Sequence, residues 1–214
     1  ERGHTRRIQG NSPYDRMIMH SYIDNVLFPA ISKYLIYDNY ASQLYKGTDL
    51  ARSQLRHFLH SEYRKCGNNK FYVLSTDFSK YYDNIQHKLL YEYVMSKLPN
   101  EDFHKYMLKT ILDSFKVDVS YMTDEEYAHC MEEKYNALDH IYDLKSGEKY
   151  MEKGVNIGNP VAQVFSIFYP TPIDNYCKNV KGIKHYGRFQ DDIIIVHRDK
   201  MYLANLMVEL ETLS

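Results

Sequence analysis

An α+β fold is the class this sequence predicts, and three observations carry that reading. Apolar residues recur at helical spacing through the N-terminal third and again across the middle of the chain. One short β-rich run, Phe71-Tyr72-Val73-Leu74, separates those two regions. Two further runs, Ile183–Phe189 and Ile193–His197, meet across Gln190-Asp191-Asp192 and read as a hairpin. Helices, one strand, helices and a hairpin do not make the alternation of a βαβ fold.

The elements follow in order. Arg6-Arg7-Ile8-Gln9 reads as the end of a strand. Ser12-Pro13-Tyr14-Asp15 opens a helix with a capping hydroxyl, a first-turn proline and an acid near the positive end of the dipole. Met17, Tyr22, Ile23, Val26, Leu27 and Ile31 continue it to about Tyr34. Lys46-Gly47-Thr48 is a loop, and Thr48 caps a second helix with the stripe Ala51, Leu55, Phe58 and Leu59. The β-rich run at 71–74 ends in polar Ser75-Thr76-Asp77. Helices are expected at about His87–Leu98, Glu101–Phe115 and Asp124–Ile141, then a turn at Lys145–Lys149. Gly154–Asn159 leads into a helix through Tyr169 that must bend or break at Pro170 and Pro172. A last helix covers Lys200–Leu213.

Composition bounds the function. The chain has 214 residues, 44% hydrophobic and 26% charged, which is globular and enough for one large domain or two small ones. Its longest apolar runs, such as Ile193–Val196, fall far short of the roughly 18 residues that cross a bilayer. No signal-like opening is present, so no membrane partner is expected. Three widely spaced cysteines, Cys66, Cys130 and Cys177, argue against a disulfide framework and for a reducing, cytoplasmic location. The 27 Lys+Arg and 28 Asp+Glu give a net charge of −1, which alone argues against a nucleic-acid partner. The 22 tyrosines, beside nine phenylalanines and no tryptophan, suit boundary packing or stacking on bases. His57 and His60 lie three apart on a helix with no cysteine pair or third ligand, and read as exposed helix residues, not zinc ligands.

Two places put acids where packing does not ask for them. Asp77 terminates an apolar strand, and Asp191 and Asp192 tip a hairpin whose two flanks are apolar enough to be central strands. Asp is also a favoured turn residue, so the pair alone is weak evidence. Together with Asp77 it suggests acids gathered at strand ends, where a cation must offset their repulsion. Mg²⁺ takes oxygen ligands of this kind, and two such ions about 3.5–4 Å apart serve phosphoryl and nucleotidyl transfer.

At this point the chain resembles, over nearly its whole length and in order, the fingers–palm region of a bacterial reverse transcriptase. Val73-Leu-Ser-Thr-Asp77-Phe-Ser-Lys-Tyr-Tyr82-Asp-Asn-Ile resembles motif A of that family. Val155-Asn-Ile157-Gly158-Asn-Pro-Val-Ala162-Gln163 resembles motif B, and Tyr186-Gly-Arg-Phe-Gln-Asp191-Asp192-Ile-Ile-Ile resembles motif C. Upstream, Arg7-Ile8…Pro13-Tyr-Asp15-Arg16 and Tyr37-Asp-Asn-Tyr-Ala…Lys46-Gly47-Thr48 are similar to the fingers motifs. The resemblance implies a palm-and-fingers polymerase with a small antiparallel sheet packed on helices. Fingers would cover 1–70, truncated at the N-terminus, and the palm 71–214, with a helical insertion at about 116–153 and no thumb. A piece lacking the duplex clamp is expected to synthesise weakly, or not at all, by itself.

The resemblance also implies roles. Asp77, Asp191 and Asp192 would be catalytic and, with the carbonyl of Phe78, would hold two Mg²⁺ ions, with Mn²⁺ as a substitute. Arg7, Arg6, Phe78, Tyr82, Ile157, Gly158 and Gln163 would line the dNTP site. Lys46 and Arg188 would meet template or primer, although Arg188 reads equally well as the partner of a carboxylate. The partners would be an RNA template, a DNA or RNA primer, dNTPs and an accessory protein of the retroelement. In the family an aromatic at the Tyr82 position packs on the sugar and leaves no room for a 2′-hydroxyl. Tyr81 beside it reads as packing, since adjacent strand residues face opposite ways.

Motif B departs from the common Gln-Gly-x-x-x-Ser-Pro pattern, with Ile157 for Gln, Ala162 for Ser and Gln163 for Pro. An aliphatic-Gly-x-x-x-Ser-Gln pattern is typical of diversity-generating retroelements and related prophage enzymes. Ile157 removes hydrogen-bonding capacity near the incoming nucleotide, which implies looser base selection. Other readings stay open: an RNA-directed RNA polymerase, a non-catalytic maturase-like palm that binds RNA, and an antiphage or untemplated DNA polymerase of the same fold. The net charge then loses its force, because acids clustered at one site account for part of the negative count.

Overall fold

The computed structural model of the chain describes residues 11–132 and 149–213. The strand expected at Arg6–Gln9, the helix beyond Glu132 and most of the Lys145–Lys149 turn lie outside them. In chain order, α1 (Pro13–Tyr22) starts as the sequence predicts, with Ser12 Oγ accepting from the Asp15 amide at 3.2 Å. A π-turn, Ile23–Leu27, leads into α2 (Phe28–Ile31) and a 3-10 turn, Ser32–Tyr34. The widened turn precedes Pro29, which has no N–H for the carbonyl one turn back. The second helix, α3 (Thr48–Cys66), is capped by Gly47 and not by Thr48, and Gly67 closes it in a left-handed conformation, as helix ends often do. Strand β1 (Tyr72–Thr76) then precedes a short α4 (Tyr81–Asn84), which the sequence reading missed.

Helices α5 (His87–Met95) and α6 (Asp102–Asp113) come next, shorter at their ends than expected. Within the insertion expected at about 116–153 the described residues hold a helix and a short strand pair. Here β2 (Val117–Asp118) runs antiparallel to β3 (Tyr150–Met151), with Val117 opposite Met151, and α7 (Asp124–Glu132) lies between them in sequence. The proline-rich break falls where predicted, after α8 (Pro160–Phe168). Pro170 caps α9 (Thr171–Asn175), which continues through a π-turn, Tyr176–Val180. The hairpin is β4 (Tyr186–Phe189) and β5 (Asp192–His197), and α10 (Lys200–Leu213) follows. Among the described residues no helix is long and apolar enough to cross a membrane.

Two compact units interleave along the chain. One unit comprises the described residues of Glu1–Lys33 and Ser79–Phe165, the other those of Tyr34–Phe78 and Ser166–Ser214. Strand pairing explains the second grouping, since β1 pairs with β5 in the three-stranded order β1-β5-β4. Among the described residues only β5 is central in this sheet, whereas both arms of the hairpin were expected to be. The free side of β4 is covered all the same, because Arg188 N donates to Asp38 O and Tyr40 N to Arg188 O, each at 2.9 Å. This unit's core gathers Ile173, Cys177, Tyr186, Ile193, Ile195 and Leu206, so the alternate residues of β5 that face inward are buried. In the first unit α5 buries Leu90 and Val94, and α6 buries Leu108, Ile111 and Leu112.

Candidate active site

The three acids singled out by sequence all belong to the second unit and to one end of its sheet. Thr76 pairs with Ile193, so the next step of the same register sets Asp77 opposite Asp192. On the other side Phe189 pairs with Asp192, leaving Gln190 and Asp191 as a two-residue turn. Gln190 takes a left-handed φ of 56°, uncommon for a residue with a side chain but suited to a tight hairpin. Asp77 and Asp192 are exposed and Asp191 is half-buried. Partial burial, then the charges of Asp191 and Asp77, push the Asp192 carboxyl above its ordinary pKa. Phe78 packs on the core of the unit. Beside Asp192 an apolar cavity of about 130 Å³ is lined by Leu55, Phe58, Gly187, Phe189 and Ile194.

The donor set suits a hard divalent ion. Among the described residues no three His, Cys, Asp or Glu side chains close on one point as a ready-made metal cage. Mg²⁺ does not require one, since it usually takes one or two carboxylates and completes its shell with water and substrate phosphates. Repulsion felt by Asp192 from its two neighbours is the property a cation would relieve.

Arg188 corrects an expectation. Of the two roles it was given, contact with template or primer and pairing with a carboxylate, the structure shows the second: its side chain is wholly buried and pairs with Asp174. Nε donates to Asp174 Oδ1 at 2.8 Å and Nη2 to Oδ2 at 2.7 Å. Nη2 also donates to the Ile167 carbonyl at 2.8 Å, and Nη1 to the Gln190 carbonyl at 2.7 Å. Tyr186 donates its hydroxyl to the same Asp174 Oδ1 at 2.6 Å. Asp174 was not anticipated. The available signal was the pair Tyr186 and Arg188, two apart on a strand and therefore on one face, which asks for an acid when that face is buried.

Lys46 is engaged locally as well. Its ammonium donates to the carbonyls of Tyr37 at 2.7 Å and Asn39 at 2.9 Å, and burial lowers its pKa. It therefore braces its own loop. Arg6 and Arg7 lie outside the described residues.

The remaining candidates belong to the first unit. Tyr82 is half-buried, its carbonyl accepts from Val155 N at 2.9 Å, and its ring meets Tyr81 edge-on at 5.6 Å. Tyr81 is buried as expected, but on a helical turn and not a strand. Gly158 has φ 104°, a conformation that favours glycine, and is exposed, while Ile157 is half-buried and Gln163 exposed. Helix α8 begins here because Asn159 Oδ1 accepts from Val161 N at 2.8 Å with Pro160 in the first turn. Gly154, not singled out by sequence, has φ 93°, and a Cβ there would stand 3.3 Å from the Asp83 carbonyl.

No protein-family model matches the chain, and no curated protein does. Solved structures resemble it in fold, a polymerase-like palm-and-fingers α+β architecture. One is telomerase from Candida albicans in complex with the TWJ fragment of telomeric RNA. It has a TM-score of 0.52 at 14% identity, covering 92% of this chain and 34% of that one. Another is apo telomerase from Candida tropicalis truncated from the C-terminal domain, with a TM-score of 0.50 at 12% identity over 95% of this chain and 41% of that one. The chain thus spans well under half the length of either structure.

Proposed function

We propose that this chain is the catalytic part of an RNA-directed DNA polymerase, transferring a nucleotide from a dNTP to a primer 3′-hydroxyl. The observation that carries the proposal is the register that sets Asp77 opposite Asp192, with Asp191 in the adjoining turn, at one end of the β1-β5-β4 sheet. Asp77, Asp191 and Asp192 would hold Mg²⁺, with the Phe78 carbonyl as a further oxygen. When bound, the ions would lower the pKa of the primer hydroxyl and offset charge on the triphosphate. The chain's own part is to present these oxygens on a rigid sheet, so that the reacting groups are oriented before reaction. An RNA template is supported by the fold likeness to a telomerase solved with RNA. Motif B, with Ile157 ahead of Gly158, favours a bacterial retroelement of the diversity-generating or prophage type as the source.

Primer extension tests this on the protein that contains the chain, with an RNA template, a DNA primer, Mg²⁺ and dNTPs. The expected result is templated extension, abolished by Asp77→Asn. Extension without a template would instead indicate an untemplated polymerase. RNA binding with no incorporation would indicate a maturase-like scaffold, and extension by rNTPs alone an RNA polymerase.

A further inference from the structure

Beneath the carboxylate hairpin lies a buried ionic cluster for which stability gives no sufficient reason. An ion pair removed from water is about as stabilising as a well-packed apolar pair, and often less so. What Arg188 supplies that an apolar residue does not is a planar fork of donors with fixed directions. Two arms lock onto Asp174, one reaches the Ile167 carbonyl in the last turn of α8, and one reaches the Gln190 carbonyl in the turn itself. Asn39 Nδ2 also donates to the Ile167 carbonyl at 3.1 Å, and the Arg188 backbone pairs with Asp38 and Tyr40. Gln190 is the residue in the left-handed conformation, a strained one for a residue with a side chain, which persists only where its surroundings impose it.

We infer that Arg188 and Asp174 form a positioning device that fixes the Gln190–Asp191 turn and through it the placement of Asp191 and Asp192. Both side chains are wholly buried, so they act on the site through the turn and not by contact with a substrate. Tyr186 completes the device by holding Asp174 from the same strand face. The inference rests on reading the three aspartates as metal-binding groups only for its consequence, because the fixing of the turn stands on the hydrogen bonds alone. A lysine at 188 keeps the charge that faces Asp174 but has no fork with which to hold Gln190 as well.

The test compares the whole chain with Arg188→Lys and with the paired apolar replacement Arg188→Met/Asp174→Leu. Three readouts are taken: thermal melting, amide hydrogen exchange at 190–192, and Mn²⁺ binding followed by electron paramagnetic resonance. The double variant is expected to melt somewhat below the wild type, because the buried Tyr186 hydroxyl loses its acceptor, to exchange the turn amides at least tenfold faster, and to bind Mn²⁺ at least tenfold more weakly. Arg188→Lys is expected to speed exchange at the turn while protection in β5 stays unchanged, which serves as the deciding comparison if the double variant does not fold. Wild-type exchange rates at the turn in folded variants would overturn the inference. Faster exchange in the variants of a wild type that binds no Mn²⁺ would uphold the positioning role and defeat the metal reading.

Discussion

Gly187 lies directly against the ring of Tyr40: a Cβ at 187 would stand 2.9 Å from Tyr40 Cε2. The ring cannot easily give way, because Tyr40 is buried and its hydroxyl donates to Asp38 Oδ1 at 2.7 Å. Its backbone is held too, by the bond from Tyr40 N to Arg188 O. Gly187→Ala is therefore expected to cost about 1–3 kcal/mol, the usual range for overpacking. Urea denaturation checks this, and an unchanged midpoint would show that the ring is free to move.

A second prediction concerns pH. His87 is buried, its Nε2 lies within hydrogen-bonding distance of the Gly154 carbonyl, and its Nδ1 has no partner among the described residues. Burial lowers its pKa, against the raising influence of the Gly154 hydrogen bond and of Glu152 and Asp113, while Lys116 adds to the lowering. A proton taken up in the unfolded chain at about pH 6.5 is thus refused by the folded one. Stability is complete above that pH and falls as the pH drops towards the folded-state pKa. His87→Gln keeps a donor for Gly154 and does not titrate. It should flatten the fall in urea midpoint between pH 7.5 and 5, and an identical slope would remove His87 from the account.

The carboxylates give a third. With no cation bound, Asp77→Asn removes one of the charges that raise the Asp192 pKa, so the variant should melt slightly higher than the wild type in chelator. Added Mg²⁺ should raise the wild-type melting temperature and leave the variant's nearly unchanged. Equal responses from the two proteins would argue against Asp77 as a ligand.

The fourth addresses the sugar. On the proposed polymerase reading, Tyr82→Ala should raise use of rNTPs relative to dNTPs at least tenfold in steady-state extension, with dNTP incorporation largely kept. No change in that ratio would assign Tyr82 to packing with Tyr81 alone.

Much of this was legible in the sequence, and the gaps have physical causes. The hairpin could be read because β4 and β5 are local and joined by a short turn. The start of α1 could be read because its cap is chemical, Ser12 with Asp15. Two-residue strands such as β2 and β3 carry no periodicity, so the insertion read as helix. The interleaved units escaped because β1 pairs with a strand far along the chain. In the site, the acids announced themselves by standing beside apolar strands. Arg188 could be read as the partner of a carboxylate or of a phosphate, and only the fold, which brings Asp174 of α9 beneath it, decides between them.

The pairing of β1 with β5 also predicts an order of events during folding. Local contacts form first, and a contact between distant segments must wait for closure of a long loop. The hairpin with Asp191 and Asp192 can form from neighbouring residues, whereas Asp77 arrives only when the N-terminal part of the chain docks on β5. The third negative charge is thus added after the scaffold that must tolerate it exists. A chain halted before that step would carry a complete hairpin and only two of its three acids.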